Sequence, residues 1–312
     1  MNVVQNIENF KPRNKSVLTI GTFDGVHIGH QKIIRSLVEL AHQQKYESSI
    51  LTFFPHPRMV LQQESNIKLI DTLEEKKREL ERLGVDNLII HPFTKSFSRL
   101  SALEFSRDIL ADQLQVSSLL IGYDHRFGRN REATAEDLVN LGKTYGFNVH
   151  IIPAQDIDSI TVSSTKIRTA IDEGNFDLVH DFLGRPFELS GTVIRGQGLG
   201  RTIDFPTANI LIKEDYKLVP PRGVYLVAIE YGDIPFFGMM NIGVRPTLNG
   251  DHETLEVHLF NCDENLYDQN LKIKFLDKIR DEEKFQSFDH LKIQLKKDKE
   301  ICKRTLIKKG FH

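Results

Sequence analysis

The sequence predicts two folded units in series: an α/β domain with a parallel sheet, then a six-stranded β-barrel with a terminal helix. Three observations carry this. In the first half, short apolar runs alternate with helical patterns of about 10–15 residues, the texture of parallel strands joined by right-handed crossovers. Beyond about Gly184 this gives way to short strand candidates punctuated by Gly, Pro, Asn and Asp, the spacing of a small barrel. The length, 312 residues, fits two domains at ~100–200 residues each.

SVLTIG (Ser16–Gly21) is apolar enough for a buried strand, and HQKIIRSLVELAHQQ (His30–Gln44) has its apolar residues at helical spacing. SSILTFF (Ser48–Phe54) reads as a strand, LEEKKRELERLG (Leu73–Gly84) as a charged helix ending on its glycine, and DNLIIHPF (Asp86–Phe93) as a strand. ALEFSRDILADQL, VSSLLIGYD, TAEDLVNLGKTYG and NVHIIPA continue as helix, strand, helix and strand. FELSGTVI, ANILI, GVYLVAIEY, PFFGMMNIG, TLEVHLF and LKIKFLDKI are the barrel strands. In the closing segment Phe285, Phe288, Leu291 and Leu295 fall at helical spacing, which predicts a packing helix with a solvated basic face. The join lies near His180–Gly191, so the domains are expected over residues 1–182 and 183–312.

Composition excludes several classes. Forty-one Lys+Arg against 43 Asp+Glu leave a net charge of −2, with neither a basic coat for nucleic acid nor an acidic arm. A hydrophobic content of 40% with 20 Phe excludes general disorder. Cys262 and Cys302 give neither a disulfide framework nor zinc-site spacing. No run of ~18 apolar residues predicts a membrane span, and MNVVQNIENFKPRN lacks a signal-peptide apolar stretch. The expectation is a cytoplasmic protein with no nucleic-acid or membrane partner, its oligomeric state left open. Three weak motifs fail on context. LGKT (Leu141–Thr144) has Asp137 where a P-loop needs Gly, GQGLGR (Gly196–Arg201) has Arg201 where the third fingerprint Gly belongs, and His27 with His30 lacks a third metal ligand nearby.

GTFDGVHIGH (Gly21–His30) follows the first predicted strand and opens the first helix, where a parallel sheet places its ligands. Gly21 and Gly25 permit close approach of phosphate, helix N–H groups attract anions, and His27 and His30 share a face with Gly29 between them leaving room. A Gly-rich turn with two surface histidines is the plain alternative. VSSTKIR (Val162–Arg168) adds Ser163, Ser164 and Thr165 before a helix with Arg168 a turn later, either a polyphosphate clamp or an ordinary N-cap.

These segments resemble the nucleotidyltransferase superfamily that carries the HxGH motif. With FFPHPRMVL (Phe53–Leu61) and GYDHRFGRN (Gly122–Asn130), they are similar to the FAD synthetase module of bacterial bifunctional riboflavin kinase/FAD synthetases. The resemblance covers nearly the whole first half and implies a Rossmann-like domain that transfers adenylyl from ATP to FMN. It implies an ATP site at Gly21, Phe23, Asp24, His27, His30, Ser163, Ser164, Thr165 and Arg168, and a flavin site at Phe54, Pro55, His56, Pro57 and Asp124. Phe54 offers a ring for stacking, and His56 between two prolines is a rigid loop residue or a plain strand-end turn. The chain departs from the family's usual Gly-rich basic stretch over Arg129–Thr134.

GTVIRGQGLGRTIDFPTANI (Gly191–Ile210) combines Gly191, Gly196, Gly198 and Gly200 with Arg195 and Arg201 in a flexible cationic loop suited to phosphates. Pro206 fixes the backbone, and Thr207 and Asn209 point to one face as two neutral oxygen ligands for magnesium; a Gly-rich hairpin with an Asn turn is the alternative. In TLEVHLF, Glu256 and His258 face away from Leu255, Val257 and Leu259; Glu256 is either a solvent-facing carboxylate or a base beside the Thr207/Asn209 site. PTAN, EVHLF and NIGVRPT (Asn241–Thr247) together resemble the riboflavin kinase module, which implies a six-stranded barrel, Mg·ATP at PTAN, Glu256 as base and a flavin near the C-terminal helix. The chain has Asp204 where the family commonly has Gly. The whole reads as riboflavin to FMN in the barrel, then FMN to FAD in the α/β domain, with riboflavin, FMN and ATP as small-molecule partners. A transferase acting on another phosphorylated acceptor leaves the barrel unexplained, and a flavin sensor without turnover has no use for Glu256.

Overall fold

The computed structural model describes residues 1–61, 67–123, 125–153, 162–196, 198, 200, 203–231, 234–247, 250–262 and 264–311, with the backbone alone at 234, 245–247 and 250–252. The chain divides into two compact units, Met1–Ser164 and Thr165–His312.

In the first unit the strands are β1 (Asn2–Gln5), β2 (Ser16–Ile20), β3 (Glu47–Phe53), β4 (Asn87–His91), β5 (Ser118–Gly122) and β6 (Asn148–Ile152). They form one sheet in the order β1-β4-β3-β2-β5-β6, with every pair parallel. Its helices are α1 (Ile28–Gln44), α2 (Pro57–Leu61), α3 (Leu73–Arg82), α4 (Ala102–Glu104, continuing as a π-helix over Phe105–Gln113) and α5 (Ala135–Tyr145). Side chains alternate across each strand. Val17, Ile50 and Leu88 therefore pack with Ile34, Leu37 and Leu80 on one face, while Leu18, Leu51 and Ile89 pack with Leu110, Leu114 and Leu138 on the other. Burial on both faces explains why these strands read as continuous apolar runs. The sequence reading has no strand at Asn2–Gln5. This edge strand is largely exposed and is held by backbone pairing to β4, so it has no apolar run to announce it. The sheet order turns back at β2 and β5, the position where such sheets bind ligands.

The second unit opens with α6 (Ser164–Asp172), which begins in the first unit's last residue, and α7 (Phe176–Leu183). The barrel strands are β7 (Phe187–Ile194), β8 (Ala208–Leu211), β9 (Gly223–Tyr231), β10 (Ile234–Thr247), β11 (Gly250–Leu259) and β12 (Asn270–Asp281), closed in the order β10-β11-β8-β7-β12-β9. Phe176 of α7 stacks on Phe275 with ring centroids 5.3 Å apart and meets Tyr225 edge-on at 5.7 Å. That packing sorts α7 with the barrel, so the compact units part upstream of the 182/183 division expected from sequence.

The terminal helix α8 (Phe288–Lys308) starts at Ser287, whose hydroxyl accepts from the His290 N–H at 3.3 Å. Phe285 thus precedes the helix. Leu295, Cys302 and Leu306 pack against Phe205, Val224, Met239 and Phe260. Asp298, fully buried, receives Arg280 of β12 through Nη2 at 2.9 Å and Gln294 at 2.8 Å. No described helix is long and apolar enough to cross a membrane.

Candidate active sites

In the α/β unit the site is a turn between β2 and α1. Phe23, Gly25 and Val26 have φ of 45°, 87° and 38°. A β-branched residue at positive φ persists only where its surroundings over-determine it. Here they do. The Thr22 carbonyl accepts from Lys76 Nζ at 2.7 Å and Thr52 Oγ1 at 3.4 Å, and the Asp24 carboxylate accepts from the Ile70 N–H at 2.9 Å. The Asp24 carbonyl accepts from Ser164 Oγ at 2.9 Å, and that of Val26 from Gln31 at 2.9 Å.

The turn delivers His27 as the N-cap of α1. Its Nδ1 accepts from the His30 N–H at 3.3 Å, which leaves the proton of a neutral ring on Nε2. The His27 and His30 rings stack at 3.6 Å, 17° from parallel, and Phe23 meets His30 edge-on at 5.3 Å. Burial lowers the His27 pKa to about 4. Burial, then His27 and the Lys76 ammonium, hold His30 well below its ordinary value. Both rings are therefore neutral near pH 7, one Nε2–H donor is fixed by the cap, and His30 Nδ1 is buried with no hydrogen-bond partner among the described residues. The arrangement presents neutral donors at a helix N-terminus, which favours anions.

The remaining residues expected in this site fall in several places. Gly21 makes room for the Phe23 ring: a Cβ there would lie 2.9 Å from Phe23 Cε2. Gly29 packs close to the His27 ring, from which a Cβ would lie 3.3 Å. Asp24 is 3% exposed and its carboxylate faces inward to Ile70. Ser164 and Thr165 lie in the first turn of α6, with Ser163 just before it and Arg168 one turn on. Phe54 is half-buried at the edge of the core cluster that holds Phe23. Pro55 is exposed, Pro57 opens α2, and His56 Nδ1 accepts from the Arg58 N–H at 3.2 Å. Asp124 lies outside the described residues. Arg129–Thr134 contains a 3-10 turn with Asn130 and Arg131 left-handed.

In the barrel, strand register builds the site. Glu256 of β11 pairs with Asn209 of β8 on one side and Asn241 of β10 on the other. Thr207 Oγ1 donates to Glu256 Oε2 at 3.2 Å. Gly196 allows the loop to approach, since a Cβ would lie 2.2 Å from Asn209 Nδ2. Thr207, Asn241 and Glu256 share a cavity of about 330 Å³ with Phe205, Phe285 and Arg280. Thr207 also lines a second cavity of about 340 Å³, with Pro206, Leu266 and Tyr267. The Arg195 guanidinium stacks 5.4 Å from the Tyr267 ring centroid. Gly191 lies inside β7 against Ile210 and Leu211, so its missing Cβ admits the close approach of β8. Gly198 is left-handed and open, Gly200 lines the first cavity, and Arg201 lies outside the described residues. Asp204 has φ 62°, a conformation where Gly is at ease, and Lys292 of α8 meets its carboxylate at 2.6 Å. That ammonium holds the Asp204 carboxyl below its ordinary range.

Asn241, His258, Tyr267 and Arg280 were not singled out in the sequence as site residues. His258 is 6% exposed and donates from Nδ1 to the Pro206 carbonyl at 2.8 Å. Asn241 had a signal in NIGVRPT, but only the register shows that it faces Glu256. Among the described residues no three His, Cys, Asp or Glu side chains cluster as a metal site. The hydroxyl, amide and carboxylate oxygens of Thr207, Asn209 and Glu256 are a hard donor set that suits magnesium bound largely through substrate phosphates.

Comparison with known proteins identifies the family. Residues 9–166 match the FAD synthetase family and residues 183–306 the riboflavin kinase family. The bifunctional riboflavin kinase/FMN adenylyltransferase of Escherichia coli K12 is 36% identical over 96% of this chain and 96% of its own length. The protein of the same description from Haemophilus influenzae is 39% identical over 92% of each chain. A solved Streptococcus pneumoniae structure, described as a macrolide-efflux protein, is 31% identical with a TM-score of 0.87 and covers 97% of this chain and 99% of its own. A helix-capping histidine pair in a parallel sheet and a register-built carboxylate in a closed barrel thus occur in a chain that belongs to the bifunctional riboflavin kinase/FMN adenylyltransferase family.

Proposed function

We propose that the barrel phosphorylates riboflavin through Glu256 and that the α/β unit adenylylates the resulting FMN through His27 and His30, in a cytoplasmic enzyme whose activities divide at residues 1–182 and 183–312. The chain carries both activities of its family, riboflavin kinase and FMN adenylyltransferase. One observation supports the kinase assignment most directly. Thr207 lines both barrel cavities and contacts Glu256. A nucleotide in the Tyr267 cavity and a flavin in the Phe205 cavity would therefore meet at Thr207. The primary hydroxyl of riboflavin must lose a proton as it attacks the γ-phosphate, and Glu256 stands where it can take it while ADP leaves. Thr207 and Asn209 would hold magnesium, which when bound offsets phosphate charge.

Adenylyl transfer makes a different demand. The FMN phosphate is already mostly dianionic near neutrality, its second pKa being about 6. It attacks the α-phosphorus without a general base, and pyrophosphate leaves. The neutral histidines act as donors toward charge developing on the phosphates, aided by the α1 N-terminus, the Ser163 and Thr165 hydroxyls and Arg168, while the Ser164 hydroxyl holds the turn through the Asp24 carbonyl. Incubating the protein with riboflavin, ATP and magnesium and separating the flavins should show FMN first and FAD second. Absence of either product would remove the corresponding half of the proposal.

A further inference from the structure

Lys76 is a buried charge that the two reactions leave unused. Helix α3 begins with a reciprocal cap: the Thr72 N–H donates to Glu75 Oε2 at 2.8 Å and the Glu75 N–H to Thr72 Oγ1 at 3.2 Å. This fixes the first turn and sends Lys76, 4% exposed, inward while Lys77 pairs with Glu74 at the surface. A lysine in the interior is costly unless it is paired and hydrogen-bonded. Lys76 donates to the Thr22 carbonyl at 2.7 Å, and the buried Asp24 and Asp71 carboxylates offset its charge. Thr22 is the residue at which β2 enters the left-handed turn. This tie brings a cation to the turn, beside neutral ones from Thr52, Ile70, Gln31 and Ser164.

We propose that Lys76 is a positioning residue for adenylyl transfer, holding through the Thr22 carbonyl the turn over Phe23–Val26 that sets His27 and His30. The inference rests on those histidines being the adenylylation site. Its effect is twofold. The ammonium anchors backbone that is strained at Phe23 and Val26, so its loss lets the histidine pair drift, and a misplacement of about 1 Å costs about 10² in rate. It also adds positive charge beside His30. The charged groups acting on the pair are Lys76 from α3, on His30, and Asp71 just before it, on His27; Asp24 from the turn and Asp71 in turn oppose the lysine.

The test is adenylylation by Lys76→Met and Lys76→Arg in the full chain, with riboflavin phosphorylation by the same preparations as the control. The Met variant should lose about 10²-fold in kcat with the FMN KM changed less than about twofold. The acid limb of its pH–rate profile should move up by roughly a unit, since a nearby like charge has been removed. Arg, which keeps charge and donor, should recover most of the rate and the original acid limb. A folded Met variant with unchanged kcat and acid limb overturns the proposal, as does an Arg variant no better than Met. If the Met variant does not fold, Lys76→Met with Asp71→Asn removes a buried cation and a buried carboxylate together and is read in its place. An α/β unit that unfolds in both would make Lys76 a folding residue only and would also overturn it. Were His27→Ala with His30→Ala to adenylylate normally, the site assignment would have failed instead.

Discussion

In the α/β unit the side chains proposed to react sit on a turn of left-handed backbone, whereas in the barrel they sit on paired strands whose register places them. The turn is held by individual hydrogen bonds from Lys76, Ile70, Ser164 and Gln31, each from a different segment. The row Asn209–Glu256–Asn241 is held by ladders that exist to close the barrel. The first construction gives neutral, desolvated donors and suits a reaction that needs only positioning. The second gives a carboxylate beside a hydroxyl at a cavity wall and suits one that must also move a proton.

The sharpest way to break this comparison is to remove each set separately. Thr207→Ala with Asn209→Ala should abolish FMN formation and leave FAD formation from supplied FMN, because those oxygens serve only the barrel. The converse pair, His27→Ala with His30→Ala, should accumulate FMN, each donor being worth ~10²–10³ in rate. Equal loss of both activities in a folded variant would show that the sites are not independent.

Proton demand gives the next effect. Glu256→Gln keeps the volume and one acceptor oxygen for Thr207, and should lower the kinase kcat by ~10²–10⁴ with little change in KM. FAD formation by the same protein should stay near wild type. A Gln variant that phosphorylates riboflavin at the normal rate would make Glu256 a spectator.

Acid should then weaken the α/β unit through His27. His27 titrates at about 4 when folded against 6.5 as an ordinary histidine, so between these values the unfolded chain binds more protons. Stability from His27 is complete above pH 6.5 and is lost as pH falls toward 4. A protonated Nδ1 also cannot accept from His30. In thermal melts the unfolding of the α/β unit should move to lower temperature across this window, and His27→Asn should blunt the movement. A transition that does not shift would place the burial cost of His27 elsewhere.

The smallest effect is expected at Asp204. Replacing it with Gly relieves the left-handed backbone but removes the exposed contact to Lys292, so the two effects oppose and the melting transition should barely move. A larger change would mean that this contact positions α8.

Much of this was legible because the informative pattern is local. Leu18, Ile50 and Leu88 sit in runs whose apolar character follows from burial on both faces of the sheet. The barrel strands alternate, as Phe187, Leu189 and Val193 do, because only one face is inside. The sequence also carried His27, His30, Thr207 and Glu256 in compact motifs. What it did not carry are partners distant along the chain. Lys76 reads as one charge in a solvated helix until Thr22 is seen above it, and Asn241 becomes a neighbour of Glu256 only through the β10–β11 register. β1 escaped notice because an exposed edge strand needs backbone pairing more than it needs apolar side chains.

The row across β8, β11 and β10 also constrains how this chain can change length over evolution. Side chains alternate with a period of two, so a single residue gained or lost within β11 ahead of Glu256 would turn the carboxylate toward the barrel interior and bring Val257 or Leu255 to the cavity. Two residues would restore the facing but move Glu256 a step away from Asn209. Lineages descended from this protein should therefore vary in length at the hairpin connections and keep an unbroken count along the paired segments. The turn that carries the histidines has no such parity rule; its tolerance is set one hydrogen bond at a time.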